Sequence, residues 1–355
     1  MATAESVPEA RLRALEAYEC RPASAGRPRG NDGDGDGGPL VTDETTKRVP
    51  AYDELPALAD SDVRHAWRVW GEHDRLGTMN RATPRTVLAA LRVPASGRRF
   101  SLDLPLGAIH PPLYGRSQFA HRIFDRNRNM VEDEITYIDP QGSSQWDSLR
   151  HIRAGRSGHF GGLAADDDNV AELGIDALVQ FGLVLRGVLL DFPRFWAASG
   201  RSVDPYGEEA ISVADLRDCA RFQGTGWSPS DLLLVRTGFL TAYRERGGLP
   251  EDGLAMPTTV GLDASADMAR FLWDEGFAAV AADNPAVEVL PGDAAVGSLH
   301  RRLIPALGMP LGELWDLDEL AESCAADRRF ECCVVSVPLR VPGGVASPAN
   351  VMAIR

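Results

Sequence analysis

Gln141-Gly142-Ser143-Ser144-Gln145-Trp146-Asp147-Ser148-Leu149-Arg150-His151 is the densest polar cluster in the chain. Its strong ligands and bases, Gln141, Gln145, Asp147 and His151, all carry odd numbers. Side chains alternate between faces in an extended chain, so these four would line one face while Trp146 turned to the other. Such a row is a candidate site floor. The alternative is a polar edge strand on which Asp147 and His151 are merely hydrogen-bonded.

Around this stretch the chain alternates strand-like and helix-like segments with turn signals from about Tyr52 onward, which predicts an α/β or mixed-sheet domain. Leucine-rich or β-branched runs at 99 to 105, 186 to 191, 231 to 236, 277 to 282 and 332 to 338 are the strand candidates. Ser212 and Asp215 form a capping box that opens a helix expected to reach about Arg221. A second helix is expected from about Ala264 to Glu275, with Gly276 as its stop. A third, around 297 to 307, carries His300 and ends at Gly308. No internal repeat is evident.

The first fifty residues differ in composition. Residues 9 to 19 suit a short helix. Pro22, Pro28, Pro39 and the run NDGDGDGG at 31 to 38 predict disorder over 21 to 48. Asp32, Asp34, Asp36, Gly37 and Asp43 fall at EF-hand loop positions, but Pro28 and Pro39 deny the flanking helices, so an acidic tether is expected instead. The division is thus a weakly ordered acidic extension over 1 to 50 and one domain over 51 to 355, within the one or two domains that 355 residues allow.

The balance of 37 Lys+Arg against 51 Asp+Glu leaves a net charge of -14, which repels nucleic acid and anionic lipid. Lys47 is the single lysine, so Schiff-base and P-loop chemistry lack their residue. Five cysteines with no C-x-x-C argue against a disulfide framework and a thiolate metal site, and reduced, mostly buried thiols are expected. With no signal peptide or long apolar run, a cytoplasmic protein acting on a small molecule is expected.

Of the seven histidines (His65, His73, His110, His121, His151, His159, His300), two keep suggestive company. His151 belongs to the polar cluster. His300 precedes Glu313 in LHRRLIPALGMPLGEL, too far apart for a zinc helix of the HExxH type. By itself His300 also fits a hydrogen-bonded helix residue. If the two segments converge, Asp147, His151, His300 and Glu313 make an N/O ligand set suited to zinc or manganese. Ser143 and Ser144 lack a G-x-S-x-G elbow, no G-x-G-x-x-G opens a helix, and Cys332-Cys333 reads as core strand.

Several segments match, in order, a known pattern: Trp70-Gly71 with Asp74 to Asn80, SSQWDSLRH at 143 to 151, FGG at 160 to 162 and RGVLLD at 186 to 191. LLLVRTGF at 232 to 239, ADNPAVEVLP at 282 to 291, LH at 299 to 300 and GELWDL at 312 to 317 complete it. By these the chain from about Tyr52 onward resembles the cyclase family, metal-dependent hydrolases that include bacterial kynurenine formamidase and isatin hydrolase. The resemblance implies a swivelling β/β/α fold, an α/β architecture with a mixed sheet or barrel-like β core and helices outside, assembled as a homo-oligomer.

The family motif is H-x-G-T-H-x-D-x-P-x-H, whose first two histidines and aspartate bind metal and whose last histidine is the base. Laid on this chain, Gln141 and Gln145 stand at the two histidine positions, Asp147 and His151 are kept, and Leu149 replaces the proline. The later histidine and acid fall on His300 and Glu313. Larger family members often carry Q-W-D at this place. The resemblance therefore implies one divalent ion, zinc or manganese, at Gln145, Asp147, His300 and Glu313. It further implies a metal-bound water as nucleophile and His151 as general base, opening a cyclic amide, lactone or aryl formamide. Gln141, Trp146 and Phe160 are the expected substrate contacts. Because amide carbonyls are weak donors, two alternatives stand beside it: a metal-independent cyclase or dehydratase using Asp147 and His151 as an acid-base pair, and a non-catalytic binding protein on the same fold.

Overall fold

The leucine-rich run at 232 to 236 becomes the middle strand of a curled nine-stranded mixed sheet in a computed structural model, which describes residues 48–59, 61–249 and 257–355. The strands are β1 (Arg99–Ser101), β2 (Ala120–Asn127), β3 (Met130–Tyr137), β4 (Gln145–Asp147), β5 (Leu183–Asp191), β6 (Ala210–Ile211) and β7 (Leu232–Arg236). They continue with β8 (Gly261–Leu262), β9 (Ala279–Ala282), β10 (Leu311–Glu313), β11 (Glu331–Ser336), β12 (Ala346–Pro348) and β13 (Val351–Ile354). The large sheet runs β1-β13-β11-β5-β7-β9-β10-β4-β12. Its four central strands, β5, β7, β9 and β10, are parallel, and the flanking pairs are antiparallel. Strands β2 and β3 form a separate hairpin, and β6 and β8 a short parallel pair.

Parallel strands with both faces covered read as continuous apolar runs. That is why β7 and β9 show no polar alternation. Their alternate residues serve two cores. Leu190, Leu233, Val235, Val280 and Ala282 pack on one face against α3 (Phe192–Ala198), α4 (Val213–Gln223) and α6 (Ala266–Asp274). Leu189, Leu232, Leu234, Ala279 and Ala281 pack on the other against Trp146, Trp315 and α8 (Asp318–Asp327). The remaining helices are α1 (Pro84–Ala90), α2 (Ile175–Phe181), α5 (Phe239–Arg246) and α7 (Leu299–Arg301).

The capping box at Ser212 and Asp215 is present, and its helix runs two residues beyond the expected end, to Gln223, because Gly224 at φ +70 supplies the left-handed stop. The expected third helix divides. After α7 the chain widens into a π-helix over Arg302–Leu307, which accommodates Pro305, a residue with no N–H to give an α-helical ladder. Gly308 ends it at φ +70. A Cβ there would sit 2.5 Å from Cε2 of Phe160 and 2.8 Å from Cα of Gly77, so only glycine allows this approach.

Residues 141 to 151 do not form one strand. Only β4 is extended. Turns closed by Gly142 N to Asp139 O (2.9 Å) and His151 N to Ser148 O (3.0 Å) flank it. The helix expected at 9 to 19, the tether and Cys20 lie outside the described residues; Cys219, Cys324, Cys332 and Cys333 are free and buried. No helix among the described residues is long and apolar enough to cross a membrane.

Candidate metal centre and active site

The site is assembled where β9 and β10 end. Parallel pairing of Gly312 with Ala281 carries Glu313 to the carboxyl end of the sheet, and antiparallel pairing sets Gln145 opposite Glu313 and Asp147 opposite Leu311. Directly opposed residues share a face, so Gln145, Asp147 and Glu313 point together while Trp146 points away. The crevice beyond the carboxyl ends of parallel strands is where such sheets place ligands. Helix α7 delivers His300 to the same spot. One ligand atom each from Asp147, His300 and Glu313 lies within 4.8 Å of the others.

His300 is held from both sides. Its Nδ1 is 2.6 Å from Glu288 Oε1, and its Nε2 is 3.0 Å from Glu313 Oε1. Glu288 also accepts from the backbone N–H of Leu299 (2.6 Å), that of His300 (3.1 Å) and the Ser298 hydroxyl (3.1 Å), so the carboxylate fastens the start of α7 as well as the ring. Burial presses the His300 pKa down, but the hydrogen bonds to Glu288 and Glu313 outweigh it and hold the imidazole well above 6.5. Burial acts to raise the Glu288 carboxyl, yet the His300 contacts and the two N–H donors keep it below its ordinary value. Glu313 is pushed up to about 7 by burial and by the neighbouring Asp147 carboxylate.

Two buried oxygens at this spot have no hydrogen-bond partner: Asp147 Oδ2 and Gln145 Oε1. Buried polar atoms are normally paired, and leaving one unpaired costs about 1–3 kcal/mol. The Gln145 amide nitrogen is already engaged, donating to Glu313 Oε2 at 2.6 Å, which leaves its carbonyl oxygen as the free end. Two carboxylates, one imidazole and one amide carbonyl make a hard N/O donor set, and a divalent cation would satisfy both orphaned oxygens at once. The donor set fits such an ion.

Gln141 occupies a different place. Its Nε2 donates to Asp147 Oδ1 at 2.9 Å and lies 3.3 Å from each ring nitrogen of His151, so its amide bridges the acid and the base. His151 Nε2 is 3.9 Å from Asp147 Oδ2. Burial lowers the His151 pKa, aided by the charges of His300 and Arg116 and opposed by Asp147, which keeps the ring a neutral base at neutral pH. A cavity of about 200 Å³ opens over the cluster, lined by Tyr114, Arg116, His151, Pro285, Glu288, His300 and Glu313 among others. Its rim is strained: Tyr114 (φ +59), Val287 (φ +58) and Leu314 (φ +54) are non-glycine residues in the left-handed region. Such strain persists where surrounding structure enforces it. At Leu314 the main-chain carbonyl of Asn284 does so, accepting the Leu314 N–H at 3.0 Å, while the Asn284 side chain donates from Nδ2 to Val260 O at 2.8 Å.

The structure therefore brings Gln141, Gln145, Asp147, His151, His300 and Glu313 together. It does not bring Trp146 or Phe160. Trp146 is 1% exposed, packs edge-on against Trp315 at 4.9 Å and donates to Ser336 Oγ at 2.9 Å. Phe160 is fully buried with Leu149, Val170 and Leu173. The expectation that both flank a substrate is corrected: neither lines the cavity, Trp146 turning to the opposite face of β4 by the two-residue period and Phe160 filling a separate hydrophobic cluster. Ser143 and Ser144 are structural, the Ser144 hydroxyl donating to Leu314 O and accepting Leu104 N–H at 2.8 Å. Sequence reasoning missed Glu288, Tyr114 and Arg116. Glu288 lay inside the matched run ADNPAVEVLP, the one signal that could have found it.

A family model described as "Putative cyclase" matches residues 66–289. A crystal structure described as a novel cyclase is 31% identical and superposes with a TM-score of 0.71, covering 82% of this chain and 99% of that one. Isatin hydrolase A from Ralstonia solanacearum shares the fold at 15% identity and a TM-score of 0.52, over 77% of this chain and 99% of its own. An isatin hydrolase bound to the product analogue thioisatinate does so at 14% identity and 0.51, over 77% and 98%. No protein of curated function matches the sequence.

Proposed function

The chain belongs to the cyclase family, and from that premise we propose that it is a hydrolase dependent on one divalent cation, opening a C–N or ester bond in a cyclic amide, lactone or aryl formamide. The observation that carries the reading is the convergence of Asp147, His300 and Glu313 beside the two partnerless oxygens of Asp147 and Gln145. Those four residues would hold zinc or manganese. A cation there supplies Lewis acidity, lowering the pKa of a water and polarising a carbonyl.

The chain's own groups do the rest. His151, neutral and half-buried, takes the proton of the attacking water and returns it to the leaving nitrogen or oxygen. Asp147 faces it across 3.9 Å and steadies the imidazolium that forms. The Gln141 amide fixes the Asp147 carboxylate by donating to Oδ1, so that Oδ2 remains free. Glu288 accepts from His300 Nδ1 and thereby keeps Nε2 turned toward Glu313 and Asp147.

One observation favours a second reading. Gln141 cannot act as an imidazole ligand, and it links Asp147 to His151 directly, a pairing that also serves metal-independent proton transfer in a cyclisation or dehydration. Elemental analysis of freshly purified protein separates the two. About one zinc or manganese per chain, lost in His300→Ala and Glu313→Ala together with chelator-sensitive turnover, is the expected result. A metal-free wild type, or turnover indifferent to chelation, would overturn the hydrolase reading.

The same proposal includes self-association. The β2–β3 hairpin turns Ile123, Val131 and Ile135 to one face beside His121, Asp125 and Asp133, the three apolar residues at 66%, 63% and 53% exposure, and a lone two-stranded hairpin is marginal without cover.

A further inference from the structure

The two acids that line the cavity already have partners: Glu288 is bound by His300 and the start of α7, and Glu313 by His300 and Gln145, while Asp147 beside them gives one oxygen to Gln141 and keeps Oδ2 for the cation. The one arginine lining the cavity does not: among the described residues Arg116 makes no ion pair, while many of the other arginines do. It is nonetheless held in place. Arg116 Nη1 donates to the Gln141 carbonyl at 2.5 Å, and its guanidinium carbon lies 4.9 Å from the centroid of the Tyr114 ring. Tyr114 is itself fixed, its hydroxyl donating to Pro285 O at 3.3 Å.

A guanidinium carries five N–H donors in a planar fork that matches a carboxylate. Stacking on Tyr114 and one bond to Gln141 orient that fork and leave most of its donors unused. The charge of Arg116 reaches Glu313 but forms no ion pair with it, so a partly buried guanidinium faces the cavity with donors to spare, the arrangement an anionic group on a ligand would complete. The cavity is small, so the partner is a small molecule.

We propose that Arg116, steadied by Tyr114 and Gln141, docks a carboxylate on the substrate, so that the site accepts small ring or aryl compounds carrying an acid group beside the bond that is opened. This rests on the reading of the cavity as the active site, and it assigns Arg116 to substrate binding.

Benzoate and benzamide test it, being matched in shape and differing in charge. Calorimetric titration of the full-length protein should show benzoate binding at least about tenfold more tightly than benzamide. In Arg116→Gln the preference should vanish while benzamide affinity and metal content stay unchanged, and Arg116→Lys should restore part of it. The preference should also survive removal of metal with chelator, since Arg116 is no ligand. A preference that persists in Arg116→Gln, that disappears with the metal, or that is absent in wild type would overturn the proposal. Failure of the hydrolase reading would appear separately, in metal content and turnover.

Discussion

Glu288 shows how much of this site rests on a residue that touches no candidate substrate bond. A histidine ligand works when its other ring nitrogen is committed, because that commitment fixes the tautomer, the ring plane and the basicity of the free nitrogen. Glu288 provides it at 2.6 Å and is 6% exposed, so water competes little for the bond. Glu288→Gln keeps size and an acceptor oxygen but removes the charge. We expect metal affinity to fall roughly 10- to 100-fold, as read by competition with a chromophoric chelator, with a loss of about 1–3 kcal/mol in stability because one donor at the start of α7 is left without its acceptor. Affinity equal to wild type would show that Glu288 does not orient His300. At this scale the sequence was partly legible. Gln145 and Asp147 on one face with Trp146 on the other follows from the two-residue period, and the strand obeys it. Gln141 and His151 reach the same place through turns, which the period does not describe.

Strand β10 is the element on which the site hangs, and Gly312 is its hinge with the core. A Cβ at Gly312 would lie 2.6 Å from the Cβ of Ala281 and 2.7 Å from Cε2 of Trp315. The indole of Trp315 occupies the space a side chain would take, donating to Gln145 O at 3.0 Å and packing edge-on against Trp146. Gly312→Ala forces β10 away from β9 and Trp315. Overpacking of this kind costs about 1–3 kcal/mol, which should appear as a lowered denaturation midpoint. Because Glu313 is the next residue, metal affinity should fall with it; an unchanged midpoint would mean that the strand can absorb a methyl group there. The π-helix after α7 was not legible in advance. Capping signals predicted one helix from 297 to 307, and Pro305 within it and the packing of Gly308 against Phe160 and Gly77 decide where its turns widen.

For the whole molecule, the β2–β3 hairpin exposes Ile123, Val131 and Ile135 on one face, among His121, Asp125 and Asp133. Patches of this kind mark interfaces more often than idle surface. Light scattering of wild type is expected to give a multiple of the 38.3 kDa chain mass, and Ile123→Asp with Val131→Asp to lower it without loss of secondary structure. A monomeric wild type would remove self-association from the reading. Core burial is not at stake in that variant, since both positions are more than half exposed.

By itself the sequence determined the alternation of strands and helices, the family, the absence of lysine chemistry and the group of polar residues around Asp147. These are local or compositional properties, set by side-chain period, capping and charge. The family resemblance implied that His300 and Glu313 join Asp147; the tertiary structure decided how they meet, that Trp146 and Phe160 belong to the core, and that Arg116, Tyr114 and Glu288 belong to the cavity. Those facts depend on the register of β4, β9 and β10 and on the strained turns that follow them, where residues more than a hundred positions apart are fixed by hydrogen bonds between strands. A register is a relation between segments, and no property of either segment alone contains it.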